Sequence, residues 1–180
     1  TLFRSPRVRP DAADYDMSTD KYVVLGLDPG RDKTGFAFVN PEGLLLASGI
    51  FPTPESADFF LAVSSGRESL SSWLIEGTTE SLPNNLLASI KFIAIGNGTN
   101  SKTFTQHVKE SLPCEILTVD ERNTTLEARN LYWTIHRPSL WQRLIPEGLR
   151  VPDRMLDDLA AWSIALRGLK KYRDIRRNKL

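Results

Sequence analysis

Apolar residues along the chain fall into short runs separated by turn formers, and the spacing of those runs predicts strands first and an alternation of helices and strands afterwards. Residues 22–27 (YVVLGL) are apolar at odd and even positions alike, the pattern of a strand buried on both faces. A second strand starts at Thr34-Gly35-Phe36. Pro41-Glu42-Gly43 then separates residues 36–40 from 44–51, so the first three strands are expected to form an antiparallel meander. Residues 57–87 mix apolar pairs such as Phe59-Phe60 with Ser and Gly and predict one or two helices. A fourth buried strand is predicted over 91–95 (KFIAI), a helix over 104–112 stopped by Pro113, and a fifth strand over 115–119. Residues 126–135 predict a helix with Thr124 or Thr125 as its N-cap and Glu127 placed to complement the macrodipole. Pro138, Pro146, Gly148 and Pro152 make 137–153 an irregular connection, and 155–172 is a last amphipathic helix.

That order predicts an α/β protein with a five-stranded mixed sheet. Strands 1–3 form the meander, strands 4 and 5 are parallel, and helices cover both faces. One domain is expected over 21–173, preceded by a flexible arm over 1–20 and followed by a basic tail over 174–180. In sheets of this kind reactive groups gather at the carboxyl ends of the strands. Asp28, Gly96-Asn97 and Asp120-Glu121 all stand at such ends.

Composition narrows the setting. The 180 residues hold a single cysteine, Cys114, which excludes an internal disulfide framework and points to a reducing, cytoplasmic compartment. No apolar run reaches membrane-spanning length, so no membrane partner is expected. The net charge of +1 conceals an asymmetry: residues 1–121 carry −6 and residues 122–180 carry +7. A basic final third suits a phosphate backbone, although a solvated cationic helix has the same composition.

The candidate chemistry rests on carboxylates. Asp28 ends a buried strand before Pro29-Gly30, where an acid either caps the turn or binds metal. In the last helix Asp157, Ala160, Ala161 and Ile164 share one face, which directs Asp157 toward the strand ends, while Asp158 points about a quarter turn away. Asp28, Glu121 (or Asp120) and Asp157 thus come from three elements to one edge of the sheet. Crowded acids raise one another's pKa values unless cations intervene, so Mg²⁺ or Mn²⁺ is the economical explanation. Two such ions ~3.5–4 Å apart serve an in-line phosphoryl displacement. His107 and His136 are isolated and Cys114 has no partner, so no zinc set is present.

Gly26-Leu27-Asp28-Pro29-Gly30, the run from Val119 to Thr125 (VDERNTT) with Leu126-Glu127-Ala128-Arg129, and the run from Leu156 to Ala161 (LDDLAA) resemble the three signatures of the YqgF (RuvX) family. The resemblance covers residues 22–172 and implies an RNase H-like fold with a nuclease of the Holliday-junction-resolvase or pre-16S rRNA processing kind. It places the family's three acids on Asp28, Glu121 and Asp157, as catalytic residues holding two Mg²⁺ or Mn²⁺ ions, with Asp120 and Asp158 as alternates. The chain departs from the family pattern at Gly96-Asn97-Gly98-Thr99, where a Gly-x-Pro-Leu loop is usual. That version looks more like the domain of Tex-like transcription-accessory proteins, a module that binds rather than cuts.

Candidate nucleic-acid contacts are Arg31, Lys33 and Arg122 near the acids and Asn97, Thr99 and Lys102 in the glycine-rich turn. The connection adds Arg137, Trp141, Arg143, Arg150 and Arg154. Arginines interleaved with aromatics suit unpaired bases. Trp133 beside prolines fits a satellite core better. A sugar-kinase-like domain also begins with an Asp-x-Gly strand but needs two such domains. Monomer and homodimer are both compatible with the sequence.

Overall fold

The structure is a computed structural model and describes residues 22–98, 101–146 and 149–178. The first three apolar runs form β1 (Val23–Pro29), β2 (Lys33–Val39) and β3 (Leu45–Pro52), paired antiparallel in sequence order. The later runs form β5 (Ile90–Gly96) and β6 (Glu115–Val119), parallel to β1 and to each other.

A strand that the apolar pattern did not indicate, β4 (Leu74–Gly77), pairs with the outer edge of β3. The sheet is therefore six-stranded, in the order β4-β3-β2-β1-β5-β6, not five-stranded. β4 has only four residues, alternately half-buried and exposed, so no buried run marks it.

The helices are α1 (Ser56–Ser65), the single turn α2 (Leu86–Ser89), α3 (Ser101–Ser111), α4 (Thr124–Ile135) and α5 (Asp157–Arg177). Two expected boundaries need correction. Thr124 is the first residue of α4 rather than its cap. The capping position belongs to Asn123, which takes the left-handed φ of 67° that Asn tolerates. The expected basic tail is helical as far as Arg177, since nothing in 173–177 breaks a helix and cations favour its last turn. The proposed arm over 1–20 lies outside the described residues.

The two faces of the sheet are packed differently. On one, Leu25, Leu27, Phe36, Phe38, Ile93 and Ile95 meet α1 and α3, with Phe51 and Phe59 stacked at 4.2 Å. On the other, small residues let α5 come down onto the strands. A Cβ at Gly26 would lie 2.2 Å from the Ala161 carbonyl oxygen, and one at Gly35 would lie 2.0 Å from that of Asp157. Ala161, Ile164 and Ala165 are fully buried there, and α4 packs beside α5 through Ala128 and Tyr132. Trp133 packs against the same cluster. No helix among the described residues is long and apolar enough to cross a membrane.

Candidate active site

Strand alternation decides which acids can meet. Val24 and Ala37 point to the α5 face while their neighbours Leu25 and Phe36 point to the other. By the same parity Gly26 and Asp28 of β1 and Gly35 of β2 belong to the α5 face. Asp28 is paired with Gly35, and the backbone of Asp157 rests on Gly35. The first residue of α5 is thereby held above the strand position next to Asp28.

The third acid arrives from β6, whose Leu117 and Val119 also face α5. Two residues on, Glu121 continues that parity and Asp120 opposes it. The Glu121 carboxylate lies over the end of β5: a Cβ at Gly98 would sit 2.3 and 2.6 Å from its oxygens, and one at Gly96 would sit 2.8 Å from Oε2. Only glycines leave room for it.

Asp120 turns away and takes the backbone N–H and the Nε of its neighbour Arg122, each at 3.0 Å. Those two bonds hold its carboxyl below the usual range. Asp158, the other alternate, also does not join the acids: it is fully buried and accepts bonds from Ser48 and Arg154.

The electrostatics agree with this placement. Asp28 is pushed up to about 7, first by burial and then by the charges of Glu121 and Asp157. No cation or hydrogen bond among the described residues offsets them. As placed, however, no three or more His, Cys, Asp or Glu side chains among the described residues surround a single ion position. The donor set is all oxygen, which suits a hard divalent cation.

The loop carrying Glu121 is fixed chiefly by Arg167 and Lys171, which the sequence did not single out. Arg167 of α5 donates to the carbonyl of Asp120, to that of Arg122 at 2.8 Å and to Glu127 Oε1 at 2.7 Å. Burial alone would raise the Glu127 carboxyl, but the bonds from Arg167 and Ser163 outweigh it and keep it low. Lys171 donates to the Thr118 carbonyl, and Thr124 Oγ1 to that of Glu121, both at 2.8 Å.

The expected nucleic-acid contacts divide. Arg31, Lys33, Lys102, Arg122, Arg137, Trp141 and Arg143 are exposed. Lys33 lies beside Met155, with Nζ 3.1 Å from Sδ. Asn97 uses its side-chain oxygen to accept the Glu121 N–H at 3.2 Å, so this part of the glycine-rich turn positions an acid. Arg150 folds back onto the carbonyls of Gln142 and Ile145, and Arg154 turns inward to Asp158 and Glu76. Thr99 lies outside the described residues.

His136 is paired with Glu76, and His107 lines an open cleft of about 620 Å³ between α1 and α3 that contains none of the acids. The chain matches no protein-family model, and no curated protein is similar enough to be matched.

Proposed function

We propose that the protein is a metal-dependent nuclease, hydrolysing phosphodiester bonds of structured RNA or branched DNA on an RNase H-like fold of the YqgF (RuvX) type. The observation that carries this reading is electrostatic: burial first, and then the charges of Glu121 and Asp157, push Asp28 up to about 7 at the carboxyl end of its strand. With β4 set aside, three antiparallel strands continued by two parallel ones support the fold assignment.

Asp28, Glu121 and Asp157 would hold Mg²⁺ or Mn²⁺, two ions being expected. When bound, the metal supplies an activated water and stabilises the leaving oxygen. The chain's own residues do the positioning. Gly96 and Gly98 leave space for Glu121, Arg167 and Asn97 fix its loop, and Gly35 seats the start of α5. The exposed Arg31, Lys33 and Arg122, in the turns beside the acids, would contact phosphates, and the exposed Trp141 and Arg143 of the α4–α5 connection would contact unpaired bases.

The parity argument separates the two acids of the DER motif. Glu121→Gln is expected to weaken Mn²⁺ binding by at least tenfold, the lower end of what even outer-sphere partners cost, while Asp120→Asn stays within about twofold of wild type. Calorimetric titration of both variants checks this, and equal losses would contradict the assignment.

A non-catalytic nucleic-acid-binding module is the second reading, favoured by the acids not converging as placed. Cleavage of single-stranded RNA, structured RNA and a four-way DNA junction, each with Mn²⁺, Mg²⁺ or EDTA, decides between them. Metal-dependent cutting supports the nuclease, and its preferred substrate distinguishes RNA processing from junction resolution. Binding without cutting under every metal supports the module.

A further inference from the structure

The connection between α4 and α5 leaves the sheet after His136 and returns at Arg154, and both of those residues meet on one atom. Glu76 Oε1, on the edge strand β4, lies 2.6 Å from His136 Nε2 and accepts Arg154 Nη2 at 2.6 Å. Among its described residues the connection forms a 3-10 turn at Gln142–Leu144 and exposes Leu140, Trp141, Leu144, Leu149 and Val151. Its base is stacked as well as bonded. The His136 ring lies 4.4 Å from that of Tyr132, the Arg154 guanidinium lies 5.7 Å from the centre of the same ring, and Tyr132 donates to Asp153.

From Arg154 the chain of bonds continues inward. Arg154 Nη1 donates to Asp158 Oδ1 at 2.7 Å, and Nη2 to Oδ2 at 3.2 Å. Ser48 of β3 donates to Oδ2 at 2.8 Å. Asp158 is completely buried, and it follows Asp157 directly in the first turn of α5.

We propose that Glu76, Arg154 and Asp158 form a positioning relay by which the exposed α4–α5 connection sets the place of Asp157. This rests on the reading of Asp157 as a metal-holding acid. Apolar residues of similar volume fill a core as well as a buried ion pair does, so packing alone gives no reason for one here. A two-pronged Arg–carboxylate contact does what packing does not: it fixes direction as well as distance. With Asp158 bound to β3 and, through Arg154, to β4, the first turn of α5 has one orientation. A shift of Arg154 is then passed through Asp158 to the first turn of α5, which carries Asp157. A displacement of about 1 Å at such a group is enough to change activity a hundredfold.

The test uses Glu76→Gln, Arg154→Met and Arg154→Lys in the full chain. Mn²⁺ affinity is read by calorimetry, and hydrogen exchange at the Ala160 and Ala161 amides is compared with that at Leu169. Ala160 N–H bonds to the Leu156 carbonyl at 2.8 Å and so reports directly on the first turn. Arg154→Met is expected to weaken Mn²⁺ binding at least tenfold, the range of outer-sphere partners, with partial recovery in Arg154→Lys. Exchange at Ala160 and Ala161 is expected to rise about tenfold or more while Leu169 is unchanged.

If Arg154→Met fails to fold, Glu76→Gln, on a half-buried edge strand, gives the answer. Folded variants with wild-type Mn²⁺ affinity and wild-type exchange at Ala160 and Ala161 would overturn the relay, whatever their melting temperatures. A wild-type protein that takes up no Mn²⁺ would remove the metal reading, and the exchange data would still decide whether the relay orders the first turn.

Discussion

Asp28→Asn is expected to end metal-dependent cleavage and, at the same time, to make the fold more stable above neutral pH. The loss of activity should be at least a hundredfold, since the residue removed is itself one of the acids assigned to the metal and outer partners alone cost up to that much. The gain in stability follows from the sign of the linkage. The folded-state pKa of Asp28 is raised from 3.8 to about 7, so between those values the folded protein holds a proton that the unfolded chain has released. Stability from this group therefore falls as pH rises through that window. The full penalty is present above about pH 7 and absent below about pH 4. The shift has a ceiling of about 4 kcal/mol, and partial solvent access reduces it to about 2 kcal/mol. Removing it should raise Tm at pH 8 by about 4–8 °C and leave Tm near pH 4 unchanged. Scanning calorimetry of both proteins at the two pH values checks the sign. A variant less stable than wild type at pH 8 would show that Asp28 is a turn cap, the structural role its place before Pro29-Gly30 also suits.

Gly35→Ala is the second large effect. Gly35 is opposite Asp28 in the β1–β2 pair, and a Cβ there would come within 2.0 Å of the Asp157 carbonyl oxygen and 2.3 Å of its carbon. These are backbone atoms of a 21-residue helix, so no side chain can rotate aside. The helix start must lift or the sheet must bend, at a cost of about 3 kcal/mol or more. Tm is expected to fall by about 6–12 °C, with Mn²⁺ affinity lost in whatever remains folded. A Gly35→Ala protein with wild-type Tm would mean that α5 does not sit as close to β2 as described.

The contrast between these two sites shows what a sequence of this kind discloses. The strand carrying Asp28 was legible because 22–27 is apolar at every position, and the acid was conspicuous at its end. The residues alone put Glu121 forward with Asp120 as its alternate, because the choice turns on where β6 stops. It stops at Val119, and the alternation through Leu117 and Val119 then carries Glu121 to the face of Asp28.

The edge strand β4 was not legible, being four residues long and half exposed. Asp158, an alternate for the metal, and Arg154, a candidate nucleic-acid contact, are instead bonded to each other, and the partner that joins them to β4, Glu76, is 78 residues from Arg154. Arg154 and Asp158 stand four residues apart, but nothing local announces the link from Arg154 to Glu76 on a distant strand. The same holds for Arg167, whose hydrogen-bond partners Asp120, Arg122 and Glu127 lie in a different segment from its own helix.

The most direct test of the three-acid metal site is a calorimetric titration of Mn²⁺ into wild type and Asp28→Asn near pH 7, repeated in buffers of different ionisation enthalpy. With Asp28 pushed up to about 7, metal binding at this site is expected to expel a proton from it near that pH. The expected result is two Mn²⁺ ions bound by wild type with net proton release, and neither the same affinity nor the release in the variant. Equal Mn²⁺ binding by the two proteins, or no binding by wild type, would contradict the site.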